Sequence, residues 1–394
     1  MKVLTIFIFS IFVIPDLFSQ EPDLSMVPGR IVAHSPASSG RYIGSPSLAV
    51  LPNGDYLASH DFFGPESNEH IRATSKIYRS HNKGKSWKPI AIIDGAFWSK
   101  LFTHAGKLYF LGTDRHHGHT IIRNSEDNGE TWTNPLDGDS GLLLEGEYHC
   151  APVPVIKHEG RLWRAMESAM GPIKSWGKRY GAFMLSIPVE ADLLKADNWT
   201  QSNILYFDST YLDGNFGGWL EGNAVVGHEG GILDILRVDD RSTIEEKVAF
   251  IKISPDGKTA TFDSKTGFLP FSGGSKKFTI RYDPRSELYW TIANIIPKEV
   301  KAANEGRNPA RIRNTQGLLS SKDLENWELK RVLLQHDDTE KHGFQYVDWQ
   351  FEGKNIIFLS RTAFDDGLGG AHNNHDANFL TFHRIRNFRK SRIR

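Results

Sequence analysis

IYRSHNKGKSWKPI (77–90) and IIRNSEDNGETWTNP (121–135) are the two stretches that decide the fold. Both carry the pattern Ser-x-Asn/Asp-x-Gly-x-Ser/Thr-Trp, and a degenerate copy, SSKDLENWEL, occupies 320–329. In a β-hairpin turn, the Asn or Asp side chain accepts backbone N–H bonds, glycine takes a positive φ and tryptophan packs beneath the turn. The recurrence of such a turn predicts an all-β repeat protein.

A second pattern, a hairpin with an apolar first strand, a glycine-containing turn and an aromatic second strand, lies between these turns. Its copies occupy 47–62, 101–113, 153–167, 224–238, 278–294 and 348–364. Blades of four strands explain two strands in each copy and two more before the next. The pattern therefore predicts a β-propeller of six blades, with a seventh left open between 170 and 215. The strand 29–35 is predicted to close the ring on the last blade.

Bulk composition narrows the class of protein. Lys and Arg number 47 and so do Asp and Glu, so the chain of 394 residues lacks the basic excess of a nucleic-acid-binding protein. Residues 1–20 read as a signal peptide, with Lys2 before a short apolar run, which predicts a secreted or periplasmic protein without a membrane span. Cys150 is the single cysteine, so no internal disulfide can form. We expect one propeller domain over 28–388, acting as a monomer.

Propeller geometry places the starts of inner strands and the ends of second strands at one face. Reading those positions collects histidine, arginine, tyrosine and carboxylates in one mouth, whereas His104, His158 and His228 fall on turns at the other face. The predicted catalytic residues are His60, His117, Tyr148, His149 and Arg164. The predicted substrate-binding residues are His116, Glu167, Trp219, Glu221, Arg237, Lys277, Arg361, His372 and His375.

Three longer stretches suggest a specific family. The Ser/Asp/Gly/Trp turns resemble the Asp-boxes of sialidase-like propellers. GSPSLAVLPNGDYLASHDFFGP, YHCAPVPVIKHEGRLWRAME and SRTAFDDGLGGAHNNHDANFLTFHRI resemble bacterial propeller enzymes that act on rhamnose linked α-1,4 to glucuronic acid, as lyases or as α-L-rhamnosidases. The resemblance covers most of 28–388 and implies seven blades. It also implies a histidine-based site around His60 with His117 and Arg164, and a Tyr148–Arg164 pair like that of propeller ulvan lyases.

Three functions stay open on these residues. A lyase needs a base for the C5 proton of a uronate, a donor for the leaving oxygen and an arginine for the carboxylate, and the mouth offers all three. A hydrolase needs two carboxylates, for which Glu167, Glu221, Asp61, Asp114 and Asp239 are available. A sialidase would need three arginines, which Arg164, Arg237 and Arg361 could supply, although GRIVA at 29–33 lacks the proline of the sialidase motif.

A carbohydrate-binding propeller without activity is the third function. The partner expected in each case is an oligo- or polysaccharide. We predict no catalytic metal, because the histidines and Asp376 within 372–376 have no second cluster beside them, and no required cofactor; a structural calcium ion is compatible with the sequence.

Overall fold

The computed structural model describes residues 21–391, so the predicted signal peptide at 1–20 lies outside the described residues. Within that range the strands form six sheets, one per blade, around a central axis. The six-bladed count is confirmed and the seven blades implied by the family resemblance are wrong. The segment 170–215, where a seventh blade was left open, supplies the two outer strands of blade 3 and the connection to blade 4.

Each blade is an antiparallel sheet whose strands run from the axis outward. Blades 1 to 3 comprise Tyr42–Ile43 with Ser47–Val50, Tyr56–Phe63, Thr74–Ser80 and Lys88–Asp94; Phe97–His104, Lys107–Thr113, Thr120–Ser125 and Leu142–Leu144; Tyr148–His149 with Ile156–His158, Arg161–Ser168, Gly181–Pro188 and Thr200–Gln201.

Blades 4 to 6 comprise Phe216–Val226, Ile232–Asp240, Lys247–Ile253 and Ala260–Thr261 with Phe268–Pro270; Thr279–Asp283, Leu288–Asn294, Thr315–Ser321 and Trp327–Gln335; Gly343–Glu352, Asn355–Ala363, Phe379–Ile385 and Arg30–His34. The helices are short: Glu69–Arg72, Lys298–Ala303 and five 3-10 turns at Ala37–Ser39, Ala196–Asn198, Tyr211–Gly214, Pro309–Arg311 and Phe388–Lys390. All helices in this part of the chain are too short or too polar to span a bilayer.

The ring is closed by the first strand of the described chain. Arg30 pairs with Phe382 and His34 with Phe379, so the N-terminal strand is the outer strand of blade 6. The predicted closure is confirmed. It joins the two ends of the propeller in one sheet and leaves no unpaired edge between blades 6 and 1.

The core is divided among the interfaces between blades. One apolar cluster lies between each neighbouring pair, such as Leu57, Leu101 and Phe110 between blades 1 and 2. Strand residues alternate between the two faces of a sheet, and both faces of every blade are covered, so both sets are buried. Trp290 and Trp349, which are at most 1% exposed, fill the interface between blades 5 and 6.

The Asp-box turns join the third and outer strands, at the face opposite the predicted mouth. In blade 2, the amides of Gly129 and Thr131 donate to Ser125 Oγ and Asp127 Oδ1 over 2.8 and 2.9 Å, and Gly129 takes a φ of 98°. Trp132 packs beneath the turn on Phe110. The same turn recurs in blade 1, in blade 5 and, beyond the sequence prediction, around Asp256 in blade 4.

Candidate functional site

A cavity of about 830 Å³ opens at the predicted mouth, between blades 3, 4, 5 and 6. We call it the basic pocket, because it is lined by Arg237, Arg241, Arg307, Arg311 and Arg313. Another cavity, of about 1040 Å³, lies near the opposite face, beside blade 6. Its described lining includes seven Lys and Arg side chains and no carboxylate, so it lacks a pair of groups for acid–base chemistry.

Three inner strands share one irregularity at the mouth. Trp98, Glu221 and Tyr346 have φ values of 47°, 58° and 54°, in the left-handed region that few side chains adopt. Each lies in a β-bulge, where the pairing of the inner and second strands skips two residues. A bulge turns a side chain away from its usual direction. Blades 2, 4 and 6 therefore place one re-aimed side chain each at this end of the ring.

The acidic centre of the mouth is Glu221. Its Oε2 accepts from Arg237 Nη1 over 2.9 Å, and both side chains are buried. Burial alone would raise the pKa of Glu221, but the positive charge of Arg237, with contributions from His149 and Arg313, lowers it below the usual value. Glu221 is thus ionised at neutral pH while it is shielded from water.

Two more arginines surround Tyr346. The Arg361 guanidinium carbon lies 4.7 Å from the centre of the Tyr346 ring, and that of Arg313 lies 5.6 Å from it. Arg361 also donates to the carbonyl of His375 over 2.6 Å, and Arg313 donates to Gln345 Oε1 over 2.7 Å. Each guanidinium carries five N–H groups, so donors remain for a ligand. With Arg237, these residues form an arginine group contributed by blades 4, 5 and 6.

The opposite wall holds a histidine oriented by a carboxylate. His149 Nδ1 lies 2.7 Å from Glu167 Oε2, and Glu167 Oε1 accepts the amide of Gly222, the residue after Glu221, over 2.9 Å. When a carboxylate holds Nδ1–H, the imidazole presents Nε2 for proton exchange. The bond from Gly222 joins this pair to the bulge that carries Glu221.

An aromatic wall surrounds His149. The centres of the Trp98 and Tyr180 rings lie 4.2 and 4.6 Å from the centre of its ring, and Trp176 lies 5.8 Å away. Trp176 is nearly half exposed and also lines the basic pocket, so the two regions are continuous. Aromatic faces next to polar groups suit the apolar face of a sugar ring.

Next to this wall, His117 Nε2 lies 2.8 Å from the Tyr180 hydroxyl. Burial, reinforced by His116 and His149, lowers the pKa of His117 to about 2, and burial raises that of Tyr180 well above its usual value. Both groups are therefore neutral over the physiological range. Such a weakly basic imidazole does not fit the role of base predicted for His117.

The structure also places His60 outside this mouth. Its ring is 1% exposed, with Nδ1 2.9 Å from the carbonyl of Asp61 and Nε2 3.2 Å from the Tyr78 hydroxyl, and desolvation lowers its pKa to about 4. It packs beside Phe62, which belongs to the core between blades 1 and 6. A catalytic role for His60 does not fit this position.

The neighbouring Asp61 is the residue of this pair that faces the mouth. Its Oδ1 and Oδ2 accept from the amides of Ser45 and Trp98 over 2.8 and 2.6 Å. A side chain on Gly44 would meet Asp61 Oδ1 at 1.5 Å, so only glycine fits there. Asp61 thus fixes the bulge that presents Trp98.

Four other predicted site residues are structural. Arg164 is fully buried and donates to the carbonyls of Ala151 and Val153 over 2.6 and 3.3 Å, so it does not reach a substrate carboxylate. The others face the interior because strand side chains alternate. Tyr148 packs on Phe183, Trp219 lies in the core between blades 3 and 4, and Lys277 is buried along the axis with its ammonium on the carbonyl of Val347.

The structure brings together the remaining predicted residues. His116, His117, His149 and Glu167 lie on one side of the mouth, and Glu221, Arg237, Arg361 and His375 on the other. His372 is exposed and stacks on Tyr42 at the rim.

Sequence reasoning missed Trp98, Trp176, Tyr180, Arg313 and Tyr346. Trp98 and Tyr346 lie near the starts of inner strands, so applying the same rule to blades 2 and 6 would have found them. Trp176, Tyr180 and Arg313 lie in connections between second and third strands, at the same face. Those connections were searched only in part.

Comparison with solved structures finds propellers. An α-L-arabinanase of Penicillium chrysogenum, solved with arabinobiose, has a TM-score of 0.55 at 14% identity and covers 92% of this chain and 98% of its own. An α-L-arabinofuranosidase of Fusarium graminearum, solved with an iminosugar inhibitor, reaches 0.59 at 12% identity over 91% and 97%. A Trypanosoma rangeli sialidase, solved with the inhibitor DANA, reaches 0.54 at 15% over 90% and 55%.

At these identities the likeness establishes a sialidase-like propeller fold. No family profile and no curated protein sequence shows significant similarity to the chain. Any activity must therefore be argued from the site.

Proposed function

We propose that the protein is a glycoside hydrolase that acts on an acidic oligo- or polysaccharide at the mouth of the propeller. The observation that carries the proposal is Glu221, a buried carboxylate paired with Arg237 and flanked by Arg313 and Arg361. The structural neighbours that are named as arabinanase, arabinofuranosidase and sialidase support the same class of activity.

Glycoside hydrolysis needs an ionised carboxylate at the sugar and a proton donor at the leaving oxygen. Glu221, kept ionised by Arg237, supplies the carboxylate. His149, held at Nδ1 by Glu167, supplies the proton through Nε2. The arginine group binds an acidic substituent of the sugar, because guanidinium N–H groups match the geometry of a carboxylate.

The variant Glu221→Gln tests this mechanism. The substitution keeps the shape of the side chain and removes its charge, so we expect kcat to fall by about 10³-fold, the scale on which loss of a charged transition-state group is felt. Glu130→Gln is the matched control, since Glu130 also pairs with an arginine, Arg79, over 2.9 Å but lies on a surface turn at the opposite face. If both variants retain the activity of the parent on an acidic glycan, Glu221 is not the catalytic carboxylate.

A lyase is the second candidate, favoured by the contact between His117 and Tyr180 beside His149. In β-elimination His149 would remove the C5 proton of a uronate, Tyr180 would protonate the leaving oxygen, and the arginine group would stabilise charge on the carboxylate. The family resemblance names the rhamnose–α-1,4-glucuronate linkage as the substrate of this reaction.

A rhamnosyl-glucuronate oligosaccharide separates the two candidates. Ultraviolet absorbance from an unsaturated uronate identifies a lyase, and free rhamnose without that absorbance identifies a hydrolase. Binding without either product would contradict both and identify a carbohydrate-binding propeller. Sialyl and arabinosyl oligosaccharides, assayed in parallel by release of the free sugar, test whether hydrolysis extends to the substrates suggested by the structural neighbours.

A further inference from the structure

Glu69, His70 and His116 form a cluster at the rim of the mouth that the proposed reaction does not use. Glu69 Oε1 lies 3.2 Å from His70 Nε2 and 3.4 Å from His116 Nδ1, and the three ligand atoms all lie within 4.8 Å of one another. Glu69 and His70 belong to a short helix between the second and third strands of blade 1. His116 belongs to the corresponding connection of blade 2.

These separations match those of metal ligands. Around a tetrahedral zinc ion with bonds of about 2.0–2.1 Å, neighbouring ligand atoms lie about 3.3–3.4 Å apart. Two imidazoles and one carboxylate suit zinc and similar divalent transition ions better than magnesium or calcium, which prefer oxygen ligands. We propose that Glu69, His70 and His116 bind a divalent transition-metal ion of the zinc type, with the remaining coordination position open to water.

The surroundings prepare this geometry. Glu69 Oε2 accepts from the amide of Gly64 over 2.8 Å and from Ser67 Oγ over 3.1 Å, which fixes the carboxylate and leaves Oε1 for the ion. The backbone amide of His116 donates to the carbonyl of Glu69 over 2.7 Å. Partners that orient the ligands are typical of metal sites. The side chain of His70 is 70% exposed, so the cluster opens to solvent and an ion has a path to it.

The ion would act on the wall of the mouth. His116 packs on Trp98, with ring centres 4.7 Å apart, and precedes His117, whose φ is 54°. A metal bond from the blade 1 helix to His116 would hold the connection that carries His117 against its neighbour. The ion therefore has a structural role at the rim and takes no part in the reaction proposed for Glu221 and His149.

Zinc titration of the untagged protein, after treatment with a chelator, tests the site. We expect calorimetry to give one zinc ion per chain with micromolar or tighter affinity, and a higher melting temperature in its presence, because an ion that binds only the folded state stabilises it. Magnesium should give neither effect. A chelated protein that binds no zinc overturns the proposal.

Two variants locate the ion. His70→Ala, at an exposed position that leaves the fold intact, should weaken zinc binding by more than about tenfold, since losing even an indirect partner of a ligand costs that much. Glu69→Gln should do the same. His81→Ala is the matched control, because exposed His81 contacts only one carboxylate, Asp55, over 2.9 Å. Zinc binding that is unchanged in His70→Ala and Glu69→Gln, or lost in His81→Ala, contradicts the assignment. A loss of glycosidase activity does not enter this test.

Discussion

Single residues in unusual backbone conformations carry the site. A non-glycine residue held in the left-handed region costs on the order of 1–3 kcal/mol, and it persists where its surroundings determine it fully. Trp98 is held by the bond from its amide to Asp61, and Glu221 is held between Arg237 and the Gly222–Glu167 bond. At both places the strained residue lies at the mouth, which is the physical reason for placing the function there.

His60 is a residue whose contribution is stability, and that contribution depends on pH. Desolvation lowers its pKa to about 4 in the folded protein, against about 6.5 for an exposed imidazole. Below pH 6.5 the unfolded chain binds a proton that the folded chain does not bind, so this stabilisation is complete above pH 6.5 and is lost as the pH falls toward 4.

We expect His60→Gln to flatten the fall in stability between pH 6.5 and pH 4, whatever its effect at pH 7.5. Urea unfolding of both proteins at several pH values measures the slope. Tyr78→Phe is the control, because it removes the hydroxyl 3.2 Å from His60 Nε2 but leaves the imidazole buried. An identical slope in the parent and His60→Gln would show that this histidine does not titrate differently on folding.

At the scale of elements, the Asp-box turns are local units that need little from the rest of the fold. Asp127 accepts from the amides of Glu130 and Thr131 over 3.0 and 2.9 Å and from the hydroxyl of Ser125 over 2.8 Å. These bonds connect residues within one turn. The sequence could therefore predict the turns from spacing alone.

Asp127→Ala should lower the free energy of unfolding by about 1–2 kcal/mol through the lost turn bonds. Activity per folded molecule should not change, because the turn lies at the face opposite the mouth. Denaturant unfolding and an activity assay measure the two effects. Asp139→Ala, on the same connection but with only a 3.8 Å contact to Lys195, should stay within about 0.5 kcal/mol of the parent. Loss of activity in a well-folded Asp127→Ala protein would contradict this division.

Strand ends show where element-level prediction fails. The end of the second strand in blade 1 offers His60 and Asp61, and the start of blade 3 offers Tyr148 and His149. In each pair one side chain faces the core and the other the mouth, because successive strand residues point to opposite faces. The sequence identified the pairs, but only the packing of neighbouring blades assigns the faces.

For the whole molecule, closure of the ring is the feature on which cooperative stability depends. The strand Arg30–His34 adds backbone pairs to blade 6, and Val32 joins the core between blades 6 and 1. Without it the strand Phe379–Ile385 becomes an exposed edge.

A protein that lacks residues 1–36 should melt at least about 5 °C below one that lacks residues 1–26, which keeps the closing strand; a change of about 1 kcal/mol shifts the melting temperature of a large domain by 2–4 °C. Calorimetry of the two proteins gives the difference. Equal melting temperatures would mean that the last blade holds the ring closed without the N-terminal strand.

The sequence by itself determined the all-β propeller, its six hairpin repeats, the Asp-box turns and the closing strand. These features depend on periodicity and turn chemistry, which short stretches of chain express. Tertiary structure alone decided that Glu221, Arg237, Arg313, Arg361 and Tyr346 meet on one side of the mouth, with His149 and Glu167 opposite. Their meeting requires bulges in separate inner strands and six blades closed at one angle, and those distances depend on every interface in the ring.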